Sequence, residues 1–289
     1  MSQTRSEILI LGSIQDGGYP HVGCRKECCK DAWRDPSLRR YIASIVIVDH
    51  ICKKYWLIDI TPDFKEQLNL IFKTYSEDYS LSGIFLTHAH VGHYTGLFKL
   101  GLEIMNTKCI PVYAMPRLNE FLHDNSSTEF LFRSNNIISY KLNKNEQISL
   151  SDDMNISPFL VPHRNELSET VGYKIISRSR SVIYIPDIDS WDLWEKNILD
   201  IIKDNDLLFI DGTFYDKNEL KTRNIEKVTH PSITESIKIF KDLSNNDKNK
   251  IYFTHLNHTN ILLRENSKEY KEFLEENYHI LRDGEIFSL

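Results

Sequence analysis

The segment Thr87-His88-Ala89-His90-Val91-Gly92-His93 constrains this chain more than any other. It follows the apolar run Ile84-Phe85-Leu86, which reads as a buried strand. Alternate side chains of an extended segment share a face, so His88 and His90 lie on one side where the strand gives way to a loop. His93 approaches the same point after a bend. Neutral imidazole is the commonest protein ligand for zinc and related cations, and several on one short loop make a partly preorganised metal site. The chain therefore has to end a buried strand where further ligands can converge.

Other strand ends offer them. Pro162-His163 follows the apolar run 156–161, and Pro186-Asp187 follows 183–185. Asp211-Gly212-Thr213 follows 207–210, and Thr254-His255-Leu256-Asn257-His258 follows 251–253. One histidine or aspartate past a hydrophobic strand means little; repeated together with the histidine loop, the pattern describes a site at one edge of a sheet. Further strands are predicted at 7–13, 43–48, 55–59, 109–113, 170–176 and 181–185, with a hairpin across 50–54. Helices are expected after Pro62, where Phe64, Leu68 and Ile71 mark one face, and over 191–203, 232–243 and 265–278. Strands in two sets with helices outside imply sheets covered on their outer faces.

The chain has 289 residues without a linker-like interruption, so a single domain over 1–289 is expected. A formal net charge of −6 gives no reason to expect nucleic-acid binding. The N-terminal run Ile8-Leu9-Ile10-Leu11 is too short for a signal peptide's hydrophobic region, and no later run reaches transmembrane length. No membrane partner and a cytoplasmic location are therefore expected. The five cysteines are odd in number, and Cys24, Cys28 and Cys29 crowd into six positions. In a cytoplasmic protein that favours metal binding over disulfides.

His88, His90, His93, His163, Asp187 and His255, in this order, resemble the metallo-β-lactamase superfamily. Its loop reads His-x-His-x-Asp-His, with a later histidine, a bridging aspartate and a final histidine. The resemblance implies an α/β fold, a four-layer αββα sandwich with the metal site at one edge between the sheets. Ile60-Thr61-Pro62-Asp63-Phe64, Asp211-Gly212-Thr213-Phe214 and His255-Leu256-Asn257-His258-Thr259-Asn260 look like the pyrroloquinoline quinone biosynthesis protein B family. Gly23-Cys24 through Cys28-Cys29, then Arg34-Asp35-Pro36 and Arg39-Arg40, resemble the cyclic phosphodiesterase of phosphonate breakdown. In that branch a cysteine trio and a histidine three positions past the last active-site ligand hold a structural zinc. Here Cys24, Cys28, Cys29 and His258 are the implied ligands, with His21 as a substitute.

The chain departs from the pattern twice. Gly92 stands where the motif has its aspartate. One cation would use His88, His90, His163 and Asp187. The second would be left with His93, Asp187 and His255, one anion short, and is expected to be weaker. The cysteines also depart from Cys-x-Cys-x-x-Cys, because Lys26 holds the middle position. A reduced, partly buried cysteine pair is the alternative there.

The resemblance implies a metal-dependent hydrolase acting with metal-activated water on a small phosphodiester or related ester. Its cofactor would be zinc, one or two ions, with manganese or iron as substitutes, beside one structural zinc. Asp187 would bridge the ions and orient the nucleophile. His230, in Thr229-His230-Pro231-Ser232, stands where related phosphodiesterases keep a proton donor; a plain histidine next to the helix cap Ser232 is the alternative. Asp59 and Asp211 would anchor ligand histidines by their other ring nitrogen. Two further readings stay open. One is an iron-dependent oxidative step like that of the quinone-cofactor pathway, and the other a non-catalytic metal carrier. The expected partner is a small-molecule substrate, and a homodimer stays open.

Overall fold

Continuous apolar runs, rather than strict alternation, mark strands covered on both faces. Every residue of Ser44–Asp49 and of Leu207–Asp211 is buried. The computed structural model describes residues 5–220 and 229–289. Residues 1–4 and 221–228 lie outside the described residues.

Among the described residues the first sheet contains β1 (Ser6–Gly12), β2 (Ser44–Asp49), β3 (Lys54–Ile58), β4 (Ser80–Phe85), β5 (Ile110–Ala114) and β6 (Ile137–Lys141). The second contains β7 (Ile148–Ser151), β8 (Met154–Leu160), β9 (Val171–Ile176), β10 (Ser181–Ile185), β11 (Leu207–Asp211), β12 (Ile251–Thr254) and β13 (His279–Ile280). The chain then returns as β14 (Ile286–Ser288) to the edge of the first sheet, giving the order β14-β1-β2-β3-β4-β5-β6 against β13-β12-β11-β10-β9-β8-β7. The 50–54 hairpin forms as expected, with Ile45 opposite Ile58 and Asp49 opposite Lys54.

Ile45, Trp56, Phe85, Tyr173, Tyr184 and Phe209 fill the space between the sheets. The helices α1 (Glu27–Arg34), α2 (Phe64–Thr74), α3 (Val91–Tyr94), α4 (Pro116–Asp124) and α5 (Ser126–Arg133) come from the first half of the chain. Phe64 and Ile71 of α2 and Leu118 of α4 cover the outer face of the first sheet. From the second half come α6 (Ile198–Lys203), α7 (Ile233–Phe240), α8 (Asn245–Lys248) and α9 (Lys268–Glu275). Ile198, Phe240 and Phe273 from α6, α7 and α9 cover the outer face of the second sheet. Each such side chain fully buried contributes about 1.5–3 kcal/mol. The layers are therefore helix, sheet, sheet, helix, the αββα sandwich that the resemblance implied. No helix among the described residues is long and apolar enough to cross a membrane.

Three expected helices are shorter than their patterns: 232–243 forms over Ile233–Phe240, 265–278 over Lys268–Glu275, and 191–203 is cut the most. The helix expected over 191–203 begins only at Ile198. Trp191 and Trp194 are both buried, but their indoles are committed elsewhere: Trp191 Nε1 donates to Ser236 Oγ at 2.9 Å and Trp194 Nε1 to the Leu160 carbonyl at 2.9 Å. The helix starts where Asn197 caps it by accepting from the Leu199 amide.

Strand polarity places the site. β1 is antiparallel to β2 and β2 to β3, so β1 runs with β3, which is parallel to β4. In the second sheet β8 likewise runs with β10, which is parallel to β11 and β11 to β12. The segments after β1, β3 and β4 therefore leave from one edge of the first sheet, and those after β8, β10, β11 and β12 from one edge of the second. Past these ends stand Asp16, Asp59, His88, His163, Asp187, Thr213 and His255.

Candidate metal centre

His88, His90, His163 and Asp187 each bring a ligand atom within 4.8 Å of the others. His88 Nε2 lies 2.8 Å from His90 Nδ1, which lies 3.4 Å from His163 Nε2, and Asp187 Oδ1 is 3.6 Å from His163 Nε2. The remaining ring nitrogens are held from behind. Thr87 Oγ1 gives its proton to Asp59, so it accepts from His88 Nδ1 at 2.9 Å and leaves Nε2 as a lone pair. His163 Nδ1 donates to Asp189 Oδ1 at 2.9 Å, with the same result. Burial pushes His88 well below the usual imidazole range and takes His90 down to about 4, so both stand neutral near pH 7.

A second group lies beside the first and shares Asp187. His93 Nε2 is 3.3 Å from Asp187 Oδ2, and His255 Nε2 is 3.5 Å from the same oxygen. His93 Nδ1 donates to Asp59 Oδ2 at 2.7 Å. Asp59 is fully buried and also accepts the Thr87 amide at 2.8 Å. His255 Nδ1 donates to Thr213 Oγ1 at 3.0 Å, and Thr213 Oγ1 passes its own proton to Asp211 Oδ1 at 2.8 Å. Asp59 thus anchors a ligand histidine directly, whereas Asp211 reaches His255 through Thr213. His255 and Asp59 both take left-handed backbone conformations, φ 59° and 63°, a cost of about 1–3 kcal/mol each that persists where surrounding bonds fix them.

Asp16 joins this group, although nothing in its local sequence singled it out. Asp16 Oδ1 is 3.3 Å from His93 Nε2 and 3.9 Å from His255 Nε2. The backbone brings it there: Gln15 N donates to the Leu256 carbonyl at 3.0 Å and Leu256 N to the Ser13 carbonyl at 2.9 Å, tying the segment after β1 to the one after β12. Only the general pattern of acidic residues past strand ends could have found it, since Asp16 opens a glycine-containing turn. Asp189 was missed in the same way, two residues beyond Asp187.

The donor set fits a divalent cation. Asp16 Oδ1, His93 Nε2, Asp187 Oδ2 and His255 Nε2 are all buried without a hydrogen-bond partner. Unpartnered buried polar atoms this close to one another are costly unless something positive joins them. Burial alone would raise Asp187, yet His255 and His93 hold it well below the carboxylate range. Burial likewise opposes a charge on His93, but Asp59 and Asp187 hold it well above the imidazole range. The field at this point favours positive charge.

His230 sits at the rim, its ring 5.3 Å from that of His163 and 5.9 Å from that of His255. Its Nδ1 donates to Asp211 Oδ2 at 2.6 Å. Against the effect of burial, Asp211 holds it up at about 9. Ser232 caps α7 through a reciprocal pair with Glu235, so the cap and the histidine are separate features of one turn. A cleft of about 260 Å³ opens at His230 between Trp191, Phe214 and Lys217, and another of about 330 Å³ meets His163 beside Arg117 and Trp194.

The cysteine cluster assembles separately. Cys24, Cys28, Cys29 and His258 bring their ligand atoms within 4.8 Å of one another. Cys24 Sγ lies 3.7 Å from Cys28 Sγ, and His258 Nδ1 lies 3.5 Å from Cys28 Sγ and 3.3 Å from Cys29 Sγ. A tetrahedral zinc with ~2.3 Å bonds to sulfur would set sulfurs ~3.8 Å apart. The adjacent pair works because Cys28 and Cys29 lie in the first turn of α1. His21 is not part of the set: its ring packs 4.3 Å from that of His258, and its amide donates to Cys29 Sγ at 3.4 Å. Burial pushes the Cys29 thiol up to about 12, so without a cation the cluster stays protonated there.

A family model described as a beta-lactamase superfamily domain matches residues 55–256. With the αββα layers and the histidine loop, this places the chain in the metallo-β-lactamase superfamily. The chain is 24% identical to coenzyme PQQ synthesis protein B of Acinetobacter baumannii, over 96% of this chain and 98% of that protein. Among solved structures it resembles zinc-bound PqqB from Methylobacterium extorquens, with a TM-score of 0.82 and 23% identity over 98% of this chain and 100% of that one. It also resembles a diphosphatase of the PhnP family, with a TM-score of 0.71 and 23% identity over 98% and 96% of the two chains.

Proposed function

We propose that the centre hydrolyses a small phosphodiester or a related ester. The observation that carries this is that His93 and His255 meet the Asp187 carboxylate of the first donor group, with His230 close to Asp187 and His255 and held on Asp211. Divalent cations bound there would lower the pKa of a coordinated water and polarise the bond under attack. The chain's own residues do the rest. His88, His93, His163 and His255 are locked in ring orientation by Thr87, Asp59, Asp189 and Thr213, so little reorganisation is left for the reaction. Asp211 keeps a proton on His230 near neutral pH, and His230 stands beside His163 and would give that proton to a departing alkoxide. The clefts at His230 and at His163 have the size for a small-molecule substrate.

The test is turnover of an activated phosphodiester by protein loaded with zinc or manganese. His230→Ala is expected to slow it by ~10²–10⁴-fold while leaving metal content unchanged. Absence of turnover across phosphodiesters, lactones and thioesters would sink this reading. A second reading draws on the full-length likeness to coenzyme PQQ synthesis protein B: an oxidative step with iron, to which imidazole-rich sites are equally suited. It requires oxygen uptake with ferrous iron and a tyrosine-containing peptide, and zinc as the sole metal in protein isolated from its host would count against it.

A further inference from the structure

We propose that Asp16 supplies the carboxylate of the second cation position, and that residue 92 is glycine to leave room for it. The proposal rests on cation binding at the centre described above, and not on the reaction carried out there. A β-carbon on residue 92 would lie 2.1 Å from Asp16 Oδ1, 2.7 Å from its Cγ and 3.0 Å from its Cα. The space that a side chain at 92 would need is thus already filled by a carboxylate arriving from a different segment. The motif's anion has moved from the loop after β4 to the segment after β1.

The geometry is that of a ligand and not of a filler. Asp16 Oδ1 faces His93 Nε2 at 3.3 Å and His255 Nε2 at 3.9 Å, while Asp187 Oδ2 faces the same two nitrogens at 3.3 and 3.5 Å. Bonds of ~2.0–2.2 Å from zinc to nitrogen and oxygen set neighbouring donors of a tetrahedron ~3.3–3.6 Å apart, a spacing that three of these contacts keep and the Asp16–His255 contact exceeds. Each of the four atoms is buried and lacks any other partner. Two carboxylates also balance the charge of a dication. The second position is therefore not one anion short, as Gly92 had suggested.

The test compares zinc uptake by the full-length protein after chelation, read by elemental analysis and calorimetry without substrate. Asp16→Asn, close to isosteric, is expected to lose one equivalent of tightly held zinc relative to the wild type. Asp16→Gly combined with Gly92→Asp is expected to regain it. Unchanged uptake and affinity in Asp16→Asn would overturn the proposal, because Asp16 would then be only an ion-pair partner of His93. A folded double variant that fails to regain the equivalent would overturn the exchange with Gly92. Should either variant not fold, anomalous scattering from zinc-loaded wild-type crystals decides: an ion within ~2.2 Å of an Asp16 oxygen supports the assignment, and an ion bound without Asp16 refutes it. Failure of the hydrolysis assay leaves all of these readouts intact.

Discussion

The two halves of the metal centre are built differently. His88 and His90 follow β4, His163 follows β8 and the shared Asp187 follows β10, each close behind an apolar strand. Asp16, His93 and His255 come from three segments in both sheets, and Asp16 meets His255 because Gln15 and Leu256 bond across the sheet edge. Both halves draw on both sheets, but the ligands of the first each stand directly behind an apolar strand. The second is the property of the assembled sandwich, and it also shares its segments with the cysteine cluster. Cys24 lies eight residues beyond Asp16, and His258 three beyond His255. The second half should accordingly respond to distant changes that leave the first untouched.

The largest contrast is expected from His163→Ala. Turnover should fall to background with loss of the cation at the first half, while the second half, keeping Asp16, His93 and His255, still takes up its own. Metal titration with parallel assays checks this; loss of both cations together would mean that the halves are not separable. A smaller effect is expected from Cys28→Ser combined with Cys29→Ser. It should abolish zinc uptake at the cysteine cluster, and by loosening the segments that carry Asp16 and His255 weaken the second half by ~10–100-fold, with the first unchanged. Equal weakening of both halves in calorimetry would erase the distinction. The smallest is Thr213→Val, which keeps shape but removes the hydroxyl that orients His255. About a ten-fold loss of affinity at the second half alone is expected, since outer partners of metal ligands contribute at this level.

This division also explains what could be read from the sequence. The histidine loop and the residues after β8, β10 and β12 announced themselves because each directly follows an apolar run. Asp16 did not: it lies in a turn with Gly17 and Gly18, and its partners are more than seventy residues away, so only Gly92 hinted that something was displaced. The helix expected over 191–203 is cut back to Ile198 because the indole N–H groups of Trp191 and Trp194 are bound to Ser236 and Leu160. β7, β13 and β14, of four, two and three residues, are too short to display a period. The adjacent cysteines were irregular for a loop and make sense only in the first turn of α1.

The most direct measurement is turnover of an activated phosphodiester as zinc is added stepwise to the metal-free protein, with occupancy of each position followed by anomalous scattering. Activity is expected to rise only as the second half fills, with ions ~3.5–4 Å apart on either side of Asp187. Full activity with His88, His90 and His163 alone occupied, or none with both halves filled, would contradict a centre that works as a pair.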